Sequence, residues 1–225
     1  MSDIAPVRKL QDEAYDYLKE CILSGELVPD ELYSETRMTK LLNMSRTPVR
    51  DALLRLNMEG YIEIFPSRGF AIKKVSTSEI RETLEIRCAL EGYATYVLAE
   101  QMDSAAAREV IFKLNECISE QDQILGMHNP DIVRFVDLNF LFHNIMIDFL
   151  QNETITQTYR KLESTIKEMT YRRLRRHPEV MSLISKAHLQ IVALVRSGNK
   201  EQAYTRAKWH NDRDFYDDDF KDATL

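Results

Sequence analysis

The sequence predicts a mainly α-helical chain in two parts: an N-terminal unit of short helices with a small β-hairpin, and a C-terminal all-α antiparallel helical bundle. Three observations predict this fold class. Apolar residues recur with helical periodicity over most of the chain, two short alternating segments lie at residues 61–75, and they separate three shorter helices from six further ones. We therefore expect two domains, 1–75 and 76–225.

Capping residues mark the first three predicted helices. They cover residues 9–24 before Gly25, from Ser34 to about Leu42, and from Ser45 to Gly60. Two short helices joined by a tight turn are typical of a helix-turn-helix. The segments 61–65 and 70–75 alternate around the turn PSRG and predict a β-hairpin, which would make the unit a winged helix-turn-helix.

The second part shows only helical periodicity. A capping box at Ser76 and Glu79 begins it, and Asn129-Pro130, His177-Pro178 and Gly198-Asn199 interrupt it. The predicted helices cover 77–102, 104–127, 130–150, 153–176, 179–197 and 200–217. Six helices with short connections predict an antiparallel bundle.

Composition excludes several classes of protein. With 30 basic and 36 acidic residues the net charge is −6, which argues against a general coat for polyanions. The three cysteines show no CxxC spacing, which argues against a zinc ribbon or a disulfide framework and favours a reducing compartment. No apolar stretch has the length of a signal peptide or membrane span, so we expect a cytoplasmic protein without a membrane partner.

Positive charge is concentrated locally, between residues 34 and 74, where eight basic residues face four acidic ones. The first turn of the third helix carries Ser45, Arg46 and Thr47, which can reach phosphates or base edges of DNA. Arg50, one turn later, can contact guanine with two hydrogen bonds, and Arg68 lies at the hairpin tip like a wing residue. Charge alone leaves open the alternative that these are solvated arginines on a small helical domain.

A family resemblance over residues 27–70 favours DNA contact over merely solvated arginines. The strings SRTPVRDAL, LNMEGYI and PSRGF resemble the N-terminal signature of the GntR family of regulators. The resemblance implies contacts with double-stranded DNA at Arg37, Ser45, Arg46, Thr47, Arg50, Arg68 and Gly69. One departure is Asp30, where the family usually has glycine, and we expect it to alter only the turn before the second helix.

Three of the five histidines lie on apolar helical stripes, each on a different predicted helix: His143, His188 and His210. One such histidine is more often a hydrogen-bonded core residue, but three that converge favour a metal site. Asn139 precedes His143 by one helical turn and can supply an oxygen ligand.

The second part resembles the FadR-type FCD ligand-binding domain over residues 77–217, through EIRCALEGYA, NFLFHNI and AHLQIVALVRSGNKEQAYTRAKWH. Members of that group that bind a metal hold a divalent ion with three histidines and an aspartate four residues before the first. The resemblance places His143, His188 and His210 at the histidine positions and Asn139 at the aspartate position. Zinc or nickel would suit this set, with lower affinity because asparagine is neutral.

Open coordination positions on such an ion would accept a small carboxylate effector. Arg87 matches a family position that often faces the effector cavity; its alternative is a salt bridge within the bundle. We expect a homodimer that binds a palindromic operator, since one winged helix reads only a short half-site. Two alternatives remain open: a metal-dependent hydrolase, although the chain has no HExxH motif, and a purely structural site.

Overall fold

The computed structural model describes residues 9–213, with side chains described through residue 210. The chain divides into two compact units between Lys74 and Val75. Among residues 9–213, no helix is both long and apolar enough to cross a membrane.

The first unit contains the three helices and the hairpin that the sequence predicts. Its elements are α1 (Leu10–Ser24), β1 (Leu32–Tyr33), α2 (Glu35–Leu42), α3 (Arg46–Met58), β2 (Ile62–Phe65) and β3 (Gly69–Ile72). Ser34 caps α2 by accepting a hydrogen bond from the Arg37 N–H. Ser45 occupies the N-cap position of α3, but its side chain makes no capping hydrogen bond.

A third strand, β1, completes the sheet and was not predicted. The antiparallel order is β1-β3-β2, with Tyr33 opposite Phe70 in the first pair. The buried Tyr33 ring stacks on Phe70 with 5.6 Å between centroids. Two residues are too few to show alternation, so the sequence carries no strand signal there.

The second unit is entirely helical in its described part. It consists of α4 (Thr77–Glu100), α5 (Ala105–Leu125), α6 (Ile132–Phe149), α7 (Glu153–Arg160), α8 (Glu163–Arg176), α9 (Val180–Arg196) and α10 (Lys200–Arg213). Residues 214–217 of the last predicted helix lie outside the described residues. Ser76 accepts a hydrogen bond from the Glu79 N–H, as the capping box predicts.

The prediction of one helix at 153–176 is wrong. The chain makes a turn at Lys161 and Leu162, where the Leu162 N–H bonds to the Tyr159 carbonyl before α8 begins. The turn lets buried Tyr159 and partly buried Leu162 both pack against the main core. Neither glycine nor proline marks it, so periodicity continues through it unbroken.

Every helix from α4 to α10 contributes apolar side chains to one core cluster. The buried polar residues of this unit include Arg87, Glu91, His143, His188 and His210, each at most 1% exposed. Burying polar or charged groups costs several kcal/mol each unless they are paired, on the order of 2–7 for a neutral group. The partners of these buried side chains therefore indicate whether they form a functional site.

Candidate DNA-binding groove and candidate metal centre

A groove of about 600 Å³ crosses the surface of the first unit, between the start of α2, one face of α3 and the β2–β3 hairpin. Arg46 and Arg50 of α3 line it from one side. Arg68 and Gly69 line it from the hairpin. Four of the seven residues proposed from the sequence thus share one concave surface, and the three arginines are exposed.

The other three proposed residues lie around this groove without lining it. Ser45 and Thr47 are exposed at the start of α3, where the backbone N–H groups of a helix attract phosphate. Arg37 is exposed on α2, with its guanidinium 5.1 Å from the centroid of the Tyr33 ring. That cation–π contact limits where the guanidinium can reach.

Gly69 has a structural reason to be glycine. Its φ of +127° is rare for residues with a side chain, and an added Cβ would lie 2.1 Å from the Tyr33 carbonyl oxygen. The close approach of β3 to β1 therefore requires glycine at the base of the hairpin turn.

Arg55 differs from the other arginines of α3. Its guanidinium lies 3.7 Å from the centroid of the Tyr15 ring and forms ion pairs with Glu59 and Asp12. Part of the local positive charge counted from the sequence therefore packs α3 against α1. Charge counting does not distinguish such an arginine from one that faces DNA.

The structure brings His143 of α6, His188 of α9 and His210 of α10 together in the interior of the second unit. Their ring centroids lie 5.0–5.3 Å apart, and one nitrogen from each lies within 4.8 Å of the other two. All three are buried, at 0–1% exposure. Phe142 stacks on His188 with 3.9 Å between centroids and 9° between planes, which restrains that ring.

Several buried atoms in this region have no hydrogen-bond partner. They include Nε2 of His143, Nε2 of His188 and Oδ1 of Asn139, which lies one turn before His143 on α6. Nδ1 of His143 has a close ion-pair contact with Glu91 but no partner at hydrogen-bond geometry. Leaving such atoms unsatisfied costs about 1–3 kcal/mol each. Two imidazole nitrogens and an amide oxygen are donors that a divalent ion accepts, so these residues fit a metal.

Glu91 of α4 lies against His143, and nothing in the sequence singles it out beyond its place one turn after Arg87. One carboxylate oxygen, Oε2, lies 2.7 Å from His143 Nδ1. The other, Oε1, accepts hydrogen bonds from Arg87 Nε at 2.8 Å and from the Tyr159 hydroxyl at 2.7 Å. Although burial alone would raise the pKa of Glu91, attraction to Arg87 and His143 holds that pKa well below its usual range.

Gln121 of α5 lies against His188, with 3.0 Å between its Oε1 and Nδ1 of the histidine. Burial, followed by repulsion from His210 and His143, lowers the pKa of His188 well below its usual value. The lowered pKa favours the neutral imidazole, which is the form that binds a metal. Helical spacing finds the three histidines, but Glu91, Gln121 and Tyr159 lie on three other helices and show no spacing signal.

The salt bridge considered for Arg87 is present in the structure. Arg87 and Glu91 are both 0% exposed and pair within α4 at i and i+4. Glu91 thus contacts the Arg87 guanidinium with one oxygen and His143 with the other. Whether Arg87 also contacts an effector stays a prediction.

Two family descriptions match the chain. Residues 10–72 match the bacterial regulatory proteins of the gntR family, and residues 82–213 match the FCD domain. The FCD match covers more than half of the chain.

Relatives and a solved structure agree with these matches. The HTH-type transcriptional regulator YdhC of Bacillus subtilis is 25% identical over 89% of this chain and 87% of its own. The HTH-type transcriptional repressor RspR of Escherichia coli is 23% identical over 87% of this chain and 82% of its own. The structure of Escherichia coli McbR has the same fold, with a TM-score of 0.68 at 19% identity, over 92% of this chain and 95% of that one.

These proteins are transcription regulators and not enzymes, and nothing among them supports the hydrolase alternative. GntR-family regulators bind DNA, which agrees with the basic groove of the first unit. The chain belongs to the GntR family of bacterial transcription regulators, in the FadR-like group that carries an FCD domain.

Proposed function

We propose that this regulator binds a palindromic operator as a homodimer, in the cytoplasm, and that a small organic acid bound at a divalent metal in its helical unit controls its affinity for DNA. The convergence of three buried imidazoles carries the effector part of this proposal. The groove lined by exposed arginines supports the DNA part.

In the first unit, α3 is the recognition helix of this proposal. Ser45, Arg46 and Thr47 at its start contact phosphates or base edges, and Arg50 contacts guanine. Arg68 contacts the flanking DNA backbone or minor groove from the hairpin, and Gly69 allows DNA to approach the hairpin closely. Arg37 of α2 contacts a phosphate.

In the second unit, His143, His188 and His210 hold a divalent ion, zinc or nickel, with Asn139 as a weaker fourth ligand. The unpartnered nitrogens and the unpartnered amide oxygen support this assignment. When bound, the ion supplies a positive charge and coordination positions that an effector carboxylate can occupy. Arg87, which pairs with Glu91 beside the centre, is the residue of this unit that we propose to contact the effector carboxylate.

Elemental analysis of protein purified without chelators or a histidine tag tests the metal centre. We expect about one divalent ion per chain and thermal stabilisation by added zinc or nickel. Asn139→Asp should tighten metal binding because it adds a charged oxygen ligand. If the wild type holds no metal and zinc, nickel and manganese leave its melting temperature unchanged, the proposed centre is wrong.

Three further measurements test the rest of the proposal. Sedimentation should show a dimer at micromolar concentration, and selection from random DNA should return a palindrome. A thermal-shift screen should find a small carboxylate that stabilises the metal-loaded protein and changes its operator affinity. A monomer with full operator affinity would contradict the dimer, and a screen in which no carboxylate changes DNA binding would contradict the effector class.

A further inference from the structure

We propose that Glu91 is a positioning residue that fixes which nitrogen of His143 faces the metal, and that it supplies to the centre the negative charge that Asn139 does not. This inference rests on the metal centre proposed above. Its basis is the arrangement of Glu91, Arg87, Tyr159 and His143 in the interior of the second unit.

The two oxygens of Glu91 have separate partners. Arg87 and the Tyr159 hydroxyl both donate to Oε1, so rotation of the carboxylate is restricted. Oε2 is then presented to Nδ1 of His143 at 2.7 Å. A carboxylate this close to Nδ1 favours the tautomer that carries its proton on Nδ1, which leaves the Nε2 lone pair for a metal.

His188 has a neutral counterpart of this arrangement. Its Nδ1 lies 3.0 Å from the amide oxygen of Gln121, so its Nε2 is likewise left for a metal. An amide fixes the ring as a carboxylate does, but it adds no charge. The two histidines therefore differ in the basicity that their partners give them, and His143 is the stronger donor.

Glu91 should contribute to metal affinity through its charge as well as through the orientation of His143. Three imidazoles and the Asn139 amide form a neutral set of donors around a divalent cation. Glu91 is a carboxylate in direct contact with one of those imidazoles. Arg87 holds its other oxygen and thus keeps Glu91 beside the ligand.

The test compares Glu91→Gln with Tyr159→Phe. Glu91→Gln keeps the size of the side chain and removes its charge, and it should weaken zinc binding about 10- to 100-fold by calorimetry. Tyr159→Phe keeps the ring stacked on Phe140 and removes only the hydroxyl, so it should fold normally and weaken binding less than Glu91→Gln.

Glu163→Gln is the matched control. Glu163 also pairs with a buried cation, Lys167, which keeps Asp137 as a second partner. We expect zinc affinity equal to that of the wild type. Adding Asn139→Asp to the Glu91→Gln variant should restore affinity, because it returns a negative charge to the centre.

The second readout is the protonation of His143 in the metal-free protein, measured by long-range ¹H–¹⁵N correlation with ¹⁵N-labelled histidine. We expect the proton on Nδ1 in the wild type, and a ¹⁵N shift change at His143 but not at His188 in Glu91→Gln. If the wild type binds zinc and Glu91→Gln changes neither affinity nor this signal, the role of Glu91 is refuted while the metal centre stands. If the wild type binds no metal, the centre is refuted, and the His143 signal still decides whether Glu91 positions that ring.

Discussion

The two units use their charged and polar residues in opposite ways. In the first unit the arginines proposed to contact DNA are exposed along an open groove. In the second unit the proposed metal ligands are fully buried, and Glu91 and Gln121 hold two of them in place. The groove arginines need only an exposed position on the groove surface. Each buried ligand, in contrast, is positioned by side chains from other helices.

This contrast predicts different consequences of mutation. Removing an exposed groove arginine should change affinity for DNA and leave the stability of the fold intact. Removing a buried residue of the second unit should change folding or metal content and leave the groove intact. Variants in each unit test whether the separation holds.

The largest effect is expected for His188→Ala. It removes one of three imidazoles, so metal binding should fall by more than the 10- to 100-fold typical of residues outside the ligand set. Effector response should disappear with it, while binding to the operator persists. Elemental analysis and operator titration check both parts, and His128→Ala, which removes an exposed histidine of the same unit, is the control. Metal content equal to that of the wild type would contradict the assignment.

Arg87→Met should be the most destabilising of the charge substitutions. It leaves the Glu91 carboxylate buried without its cation, which costs about 3–5 kcal/mol. Urea denaturation followed by circular dichroism measures the loss. Arg134→Met is the matched control, because Arg134 pairs with Glu120 at the surface and should contribute about 0–1 kcal/mol. Equal losses in the two variants would show that burial of the Arg87 pair does not matter.

Arg50→Ala should cost about 1–3 kcal/mol of operator affinity and relax specificity at one base pair. Lys73→Ala, at the end of the hairpin, should weaken binding to all sequences alike. Fluorescence anisotropy with the selected operator and a scrambled duplex, at several salt concentrations, separates the two effects. If Arg50→Ala binds the operator as the wild type does, α3 is not the recognition helix.

The same contrast explains how much the sequence could predict. The DNA-binding unit is described by one contiguous string, so its helices, its hairpin and the groove residues Arg46, Arg50 and Arg68 could all be identified from it. The histidines could be identified because a buried polar residue interrupts an apolar stripe on each helix. Both signals are local along the chain.

What could not be predicted depends on residues brought together from distant segments. Glu91, Gln121 and Tyr159 look like ordinary helix residues until the bundle packs them against the histidines. Strand β1 forms only because β3 lies beside it, and the break between α7 and α8 follows from packing of Tyr159 and Leu162. Tertiary contacts determine each of these features, and such contacts cannot be identified from local patterns in a single sequence.

The smallest expected effect concerns Asp30, a departure from the family pattern in the first unit. Asp30 has a φ of +68°, in the left-handed region that glycine adopts without strain, which explains why glycine is usual there. Aspartate tolerates this region better than most residues, and its carboxylate lies 3.3 Å from the Lys74 ammonium. Both side chains are about three-quarters exposed, at 78% and 70%, so the ion pair contributes little.

Asp30→Gly should therefore change the free energy of unfolding by less than about 1 kcal/mol, because relief of backbone strain offsets the lost ion pair and the greater freedom of the unfolded chain. Asp30→Ala keeps the strain and loses the ion pair, so it should be less stable than Asp30→Gly by about 1–2 kcal/mol. Urea denaturation of the two variants beside the wild type measures the difference. Operator affinity should stay unchanged in both, because Asp30 does not line the groove. If Asp30→Ala is as stable as Asp30→Gly, the left-handed backbone at this turn does not explain the preference for glycine.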